Sequence, residues 1–161
     1  MASHDSHLPP ALDLELCGLG LNDEELAANP RLAERVVKDL NACPLLPWAD
    51  ARFDAVICTA SIEYLLRPAA VLAEARRVLK PGGLMLLSFS YRWFPTKAIA
   101  VWSRLHEFER LGLVLHLLHA AGFADLHTET WRGLPRPADD KYFARRGHAD
   151  PLFAAWGYVP A

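Results

Sequence analysis

Apolar positions along the chain come in two spacings, which alternate between short continuous runs and longer stretches with a single apolar face. The segment "LDLELCGLGL" at 12–21 has strand character. It runs into "NDEELAAN", where Asn22 can cap a helix with Glu25 three residues later as its return partner. A short strand is predicted for "RVVKDL" at 35–40, and Pro44 with Pro47 enforces a loop before the continuously apolar "FDAVICTA" at 53–60. So apolar a run suits a strand covered on both faces, as parallel strands are when helices pack above and below them.

Pro68 can open the next helix, placing Val71, Leu72, Ala75, Val78 and Leu79 on one face and leaving Arg76, Arg77 and Lys80 toward water. Pro81 cannot continue that helix, and Gly82 with Gly83 permits the corner into "LMLLSFS". Helical patterns follow at 96–108 and 111–121, then an "AGF" turn at 121–123 and strands at 125–131 and 152–158. The Pro- and charge-rich stretch 132–151 predicts a long loop. This alternation predicts a doubly wound α/β sheet in one domain spanning 1–161, with 1–11 poorly ordered.

About half of the 161 residues are apolar, which suffices for one sizeable core. A formal charge of -2 leaves no basic field for nucleic acid or an anionic membrane. Cys17, Cys43 and Cys58 are too scattered for a disulfide framework, and the pairs His4/His7 and His116/His119 find no further ligands, so no metal is expected. The polar opening "MASHDSHLPP" has no signal-peptide core, and "LGLVLHLL" is far below the roughly 20 residues needed to span a bilayer. The expectation is a soluble, cytoplasmic protein without a nucleic-acid or membrane partner.

In order and spacing, "LCGLGLNDEEL", "VVKDLNACPLLPWADARFDAVIC", "EARRVLKPGGLMLLSF", "HAAGF" and "DPLFAAWGY" resemble the class I S-adenosylmethionine-dependent methyltransferases, particularly the group called methyltransferase type 11, over most of the chain. The resemblance implies a Rossmann-like, mostly parallel sheet of strand order 3-2-1-4-5-7-6 with strand 7, here the C-terminal one, antiparallel. S-adenosylmethionine would bind at the carboxyl ends of the first strands. Methyl transfer to a small-molecule acceptor is the implied function. The alternative is a catalytically silent, truncated methyltransferase-like module that binds a ligand or a protein partner.

On this resemblance Asp39 accepts a hydrogen bond from the adenine amino group, and Leu40 supplies a backbone amide and an apolar wall. The other reading of Asp39 is a loop cap. Cys58, Thr59 and Ala60 match the end of the family's fourth strand, where small residues let the methionine part lie close; otherwise they are core. The family usually grips the ribose hydroxyls with an acid at the end of its second strand. That column falls here on Gly20, with Asn22 or Asp23 as substitutes that could equally be a helix cap and a first-turn acid. Glu63 and Tyr64 in "SIEYL" are the nearest candidates for a catalytic base, or else an exposed pair after the strand. The 132–151 loop is expected to overhang the acceptor site and present Asp140, Tyr142, Arg145 or Arg146. Tyr91, Trp93, Phe94 and Trp102 form either a substrate wall or core.

Family members open with a central strand and a Gly-rich turn, whereas only "MASHDSHLPPA" precedes the second-strand run here, with Pro9 and Pro10 blocking ladder hydrogen bonds. The expectation is an N-terminally truncated sheet with weak S-adenosylmethionine binding and an open edge through which the chain could self-associate.

Overall fold

In the computed structural model, which describes residues 8–9 and 11–161, the chain divides after Pro44 into two units. The expectation of poor order at 1–11 and the pair His4/His7 fall largely or wholly outside the described residues.

The first unit is a βαβ turn built from β1 (Leu16–Gly20), α1 (Asp23–Ala27) and β2 (Leu32–Val37). Asn22 starts the helix as expected, its side chain accepting from the Glu24 and Glu25 backbone N–H groups at 2.9 and 3.3 Å. Three acids follow in the first turn, where the positive end of the helix favours them. The parallel register pairs Gly18 with Arg35 and Gly20 with Val37. Gly18 is there for closeness: a Cβ at this position would lie 2.5 Å from Leu32 Cδ1 and 3.2 Å from Leu26 Cδ2. The second strand is therefore shifted toward the N-terminus from the expected 35–40. Its pairing partner ends at Gly20, and beyond Val37 only Lys38 N–H continues the pattern, donating to the Gly20 carbonyl at 2.9 Å.

The second unit holds a sheet of order β3-β4-β6-β5, from β3 (Phe53–Thr59), β4 (Leu79–Ser90), β5 (Ala124–Trp131) and β6 (Leu152–Tyr158). β3 and β4 run parallel, and β6 is antiparallel to both its neighbours. The strand orders within the two sheets match the runs 3-2 and 4-5-7-6 of the implied order. Along β4, Met85, Leu87 and Phe89 are buried at alternate positions, and Phe89 meets Trp102 edge-on at 5.1 Å and stacks on Phe153 at 5.4 Å. Helix α2 (Pro68–Val78) buries Val71, Leu72, Ala75 and Val78, as its spacing predicts. The short α3 (Ala100–Arg104) and the longer α4 (Glu107–Ala120) follow β4.

Two expectations need correction. The "KPGG" corner lies inside β4: pairing jumps from Phe53 with Leu79 to Ala55 with Leu84, so residues 80–83 bulge out, with Gly82 at φ 75°. Arg77 faces water only in part. Its guanidinium donates to Glu74, Asp50 and the carbonyls of Trp48 and Leu46, clamping the segment before β3 onto α2. Among the described residues, no helix is long and apolar enough to cross a membrane.

Candidate functional site

In open parallel sheets the carboxyl ends of the strands are where ligands bind, because chain reversals leave backbone groups and short side chains exposed there. β3 ends at Thr59, opposite Ser88 of β4, whose hydroxyl meets the Thr59 hydroxyl at 3.2 Å. Ala60 N–H donates to the Ser88 carbonyl at 2.6 Å, and its backbone turns left-handed at φ 45°. That conformation costs a non-glycine residue on the order of 1 kcal/mol or more, and the Ser61 hydroxyl, donating to the Thr59 carbonyl at 2.9 Å, helps hold it. The reversal leads into a 3₁₀ turn, Ile62–Tyr64, in which Ile62 anchors in the core and draws Glu63 in beside it.

Glu63 is 1% exposed, and among the described residues its Oε2 has no hydrogen-bond partner. Burial holds its carboxyl above the usual range; its own backbone N–H and the nearby Arg110 charge offset this only in part. Burial also pushes the Cys58 thiol up to about 12, with the Glu63 charge adding to the effect, so Cys58 is a neutral thiol at neutral pH rather than a nucleophile. The Tyr64 hydroxyl accepts from Phe94 N–H at 3.0 Å, while the Glu63 carbonyl accepts from Ile99 N–H at 2.9 Å. Burial raises Tyr64 as well, keeping it a phenol. The two expected catalytic positions therefore also fasten the segment after β4 to the end of β3. Cys58, Thr59, Ala60, Glu63 and Tyr64 lie together at this strand end.

That segment carries Tyr91 and Trp93 into a cleft of about 600 Å³, lined also by Arg104, His106, Arg110 and Arg132. Trp102 is core and Phe94 is exposed, so the aromatic group divides between the two roles expected for it. Arg110 is the residue the sequence reading missed. It is 5% exposed and sits in register with the apolar stripe Val114 and Leu118, one and two steps of four residues further along α4. A charged residue at an apolar stripe position was the available signal.

In the first unit, Gly20 ends β1, Asn22 spends its side-chain oxygen on α1, and Asp39 follows β2, with Leu40 half-buried next to it. The Asp39 Oδ1 accepts from Asn41 N–H at 2.8 Å, the turn expected of a loop-capping Asp. All four lie at the carboxyl end of this unit's parallel pair.

Residues 132–151 form an irregular connection that begins and ends at the same end of its sheet as Thr59, since Trp131 pairs with Leu152 and Ser90 with Leu152. Arg136 is buried and braces it, donating to Asp140 Oδ2 at 3.0 Å and to the His148 carbonyl at 3.3 Å. The other Asp140 oxygen accepts from Tyr142 N–H at 2.7 Å; this bond and Arg136 hold the carboxyl below its usual range. Arg92 lies over the Tyr142 ring, Arg146 pairs with Asp150 at 3.5 Å, and Arg145 is exposed. Among the described residues, no cluster of three His, Cys, Asp or Glu side chains could hold a metal ion.

The methyltransferase domain family matches residues 6–87, just over half of the chain. The chain belongs to this family. A stretch of 60 residues, 36% of the chain, is 43% identical to the ubiquinone/menaquinone biosynthesis C-methyltransferase UbiE of Cupriavidus necator, and spans only 25% of that relative. An S-adenosylmethionine-dependent methyltransferase from Thermotoga maritima superposes at a TM-score of 0.63 with 17% identity, over 90% of this chain and 72% of the other. The [4+2]-cyclase SpnF superposes at 0.60 with 17% identity, over 92% and 68% of the two chains. The Rossmann-like methyltransferase fold is thereby established, and SpnF illustrates that the fold can host a different reaction.

Proposed function

We propose that the chain is an S-adenosylmethionine-dependent methyltransferase domain that methylates a small-molecule acceptor. One observation carries the reading: the family match over 6–87 contains every residue assigned to cofactor or proton transfer, from Gly20 to Tyr64. In the first unit, Asp39 and Leu40 are the adenine contacts, and Gly20 with Asn22 lies at the ribose. In the second unit, Cys58, Thr59 and Ala60 offer the small surface against which the methionine part rests. The fit at this strand end is chemical. Among the described residues nothing donates to the buried Glu63 Oε2, and an acceptor hydroxyl or amine supplies a donor. When bound, S-adenosylmethionine supplies a methyl already activated on sulfur, so the reaction asks the protein chiefly for alignment and exclusion of water. Glu63 takes the acceptor's proton, burial having raised the proton affinity of its carboxyl.

Calorimetric titration with S-adenosylhomocysteine tests the proposal. Saturable heat is expected, weakened about fivefold in Asp39→Ala by the loss of one hydrogen bond worth about 1 kcal/mol. Absence of saturable heat with folded protein would overturn it. Cofactor binding without methyl transfer to a panel of small hydroxyl and amine acceptors would instead favour the silent-module reading.

A further inference from the structure

Arg110 poses an electrostatic problem. Its guanidinium is buried, lies 3.9 Å over the Trp93 ring, and donates through Nε to the Trp102 carbonyl at 3.0 Å. Among the described residues it makes no ion pair. Glu107, whose charge favours the guanidinium most, is engaged by Arg132, and the influence of Glu63 is weaker. Burial lowers its pKa below the usual guanidinium value. A buried charge is normally paired, because removing it from water without compensation is costly. Here the cation, without an ion pair among the described residues, lines a cleft of about 600 Å³ rather than a sealed core, so an anionic partner can enter from outside.

The walls indicate what that partner is. Tyr91 and Trp93 stand edge to face at 6.3 Å, an arrangement suited to a flat apolar body. Arg104 adds a second positive charge on the exposed side. Because Arg132 and Glu107 neutralise each other, the lining carries a positive excess. The start of α4 also opens here, with its backbone donors partly satisfied by the reciprocal cap of His106 and Glu109. With Nε spent on the Trp102 carbonyl, the two Nη groups of the guanidinium over Trp93 can meet a planar carboxylate through two parallel bonds.

We propose that this cleft binds a small aromatic carboxylate, with Arg110 as the carboxylate receptor and Tyr91 and Trp93 holding the ring. Naming that ligand as the methyl acceptor rests on the functional reading above; anion binding itself does not. The cleft is tied to the end of β3, since the segment carrying Tyr91 and Trp93 is fastened by Tyr64 and Glu63.

The test uses benzoate and its uncharged analogue benzamide against the cofactor-free chain, read from the indole N–H resonances, with that of Trp93 assigned through Trp93→Phe. Benzoate is expected to shift the Trp93 signal saturably, and benzamide to bind at least about tenfold more weakly, as loss of a charge-assisted pair implies. Arg110→Gln should remove that preference and leave the weak benzamide binding in place. If Arg110→Gln does not fold, the exposed Arg104→Glu reverses a charge at the cleft and should weaken benzoate, not benzamide, by about threefold or more. Equal binding of the two probes, no saturation by about 50 mM benzoate, or benzoate affinity unchanged in the folded variants would overturn the proposal. S-adenosylhomocysteine titration on the same sample separates the two failures. Cofactor binding without benzoate binding removes only the anion site, and the reverse removes only the methyltransferase reading.

Discussion

The two parallel strand pairs, β1–β2 and β3–β4, each end in a reversal that carries candidate ligand contacts, but very different amounts of core stand behind them. In the first unit a five-residue helix covers the pair, and Leu26 is the one buried apolar side chain among its described residues. In the second, α2 contributes four buried residues, and β4 continues into a sheet whose interior holds Met85, Leu87, Phe89, Phe153 and Trp102. A two-stranded pair with so little apolar burial is marginal by itself, whereas the four-stranded unit has a core of its own. The same kind of strand-end site is thus mounted on a soft platform and on a firm one.

The largest effect should come from core truncation, and it should differ between the units. Leu87→Ala empties a fully buried position in β4 and is expected to cost about 3 kcal/mol, lowering the cooperative melt. Leu26→Ala empties an equally buried position in α1 but should act locally, speeding amide exchange in β1 and β2 with little change in the melt followed by tryptophan. All five tryptophans (Trp48, Trp93, Trp102, Trp131 and Trp156) lie in the second unit, so their fluorescence reports that unit. Equal losses of melting temperature in the two variants would break the comparison.

Next in size is Arg77→Met. The guanidinium, about one-third exposed, joins Glu74 and Asp50 to the carbonyls of Leu46 and Trp48. Discounted for that exposure, its loss should cost about 1–2 kcal/mol and free residues 46–50 to exchange, measured by denaturant unfolding and hydrogen exchange. An unchanged midpoint would mean that the border of the second unit is held by Trp48 packing on Phe53 alone.

What the sequence disclosed, and what it hid, follows the range of the interaction. Local signals were legible: the Asn22 cap, Pro68 at the start of α2, the Gly at the "AGF" turn and the strand Leu152–Tyr158 all depend on neighbours within a few residues. The family resemblance supplied the strand order, which no local pattern contains. Arg77 was misjudged because its partners lie up to 31 residues away. Glu63 looked exposed because "SIEYL" shows no sign that Ile62 pulls its neighbour inward, and Arg110 was hidden by the apolar run beginning one residue later. The candidate site was thus legible where strand ends could be counted, and illegible where burial of a charge decides the chemistry.

Glu63 sharpens the comparison, since the firm unit tolerates a cost the soft one could not. Burial raises its folded pKa above the unfolded one, so the folded state holds a proton that the unfolded state releases once pH exceeds the ordinary carboxylate range. Its contribution to stability is therefore fully present below the unfolded pKa and is lost as pH rises through the folded pKa. Glu63→Gln removes that titration. Melts at about pH 5 and about pH 8 should show the variant gaining on the wild type at the higher value. Parallel pH profiles would show that the carboxyl is solvated in solution.

The smallest expected effect tests the soft platform through Asn22, where a structural and a ligand role compete for one side chain. Its oxygen already serves the Glu24 and Glu25 N–H groups, so capping is satisfied without any ligand. Replacing such a cap by Ala typically costs about 1 kcal/mol, whereas Gly costs only a few tenths because the backbone can be solvated in its place. Asn22→Ala should therefore speed exchange in α1 while leaving the tryptophan melt unmoved, and Asn22→Gly should do so only slightly. The Gly variant then isolates the other role. It deletes the side chain with the helix nearly intact, so a severalfold loss of S-adenosylhomocysteine affinity in Asn22→Gly assigns Asn22 to the ribose. Unchanged affinity leaves it as a cap and places the ribose contact on the backbone around Gly20, whose missing side chain lets a ligand approach the end of β1.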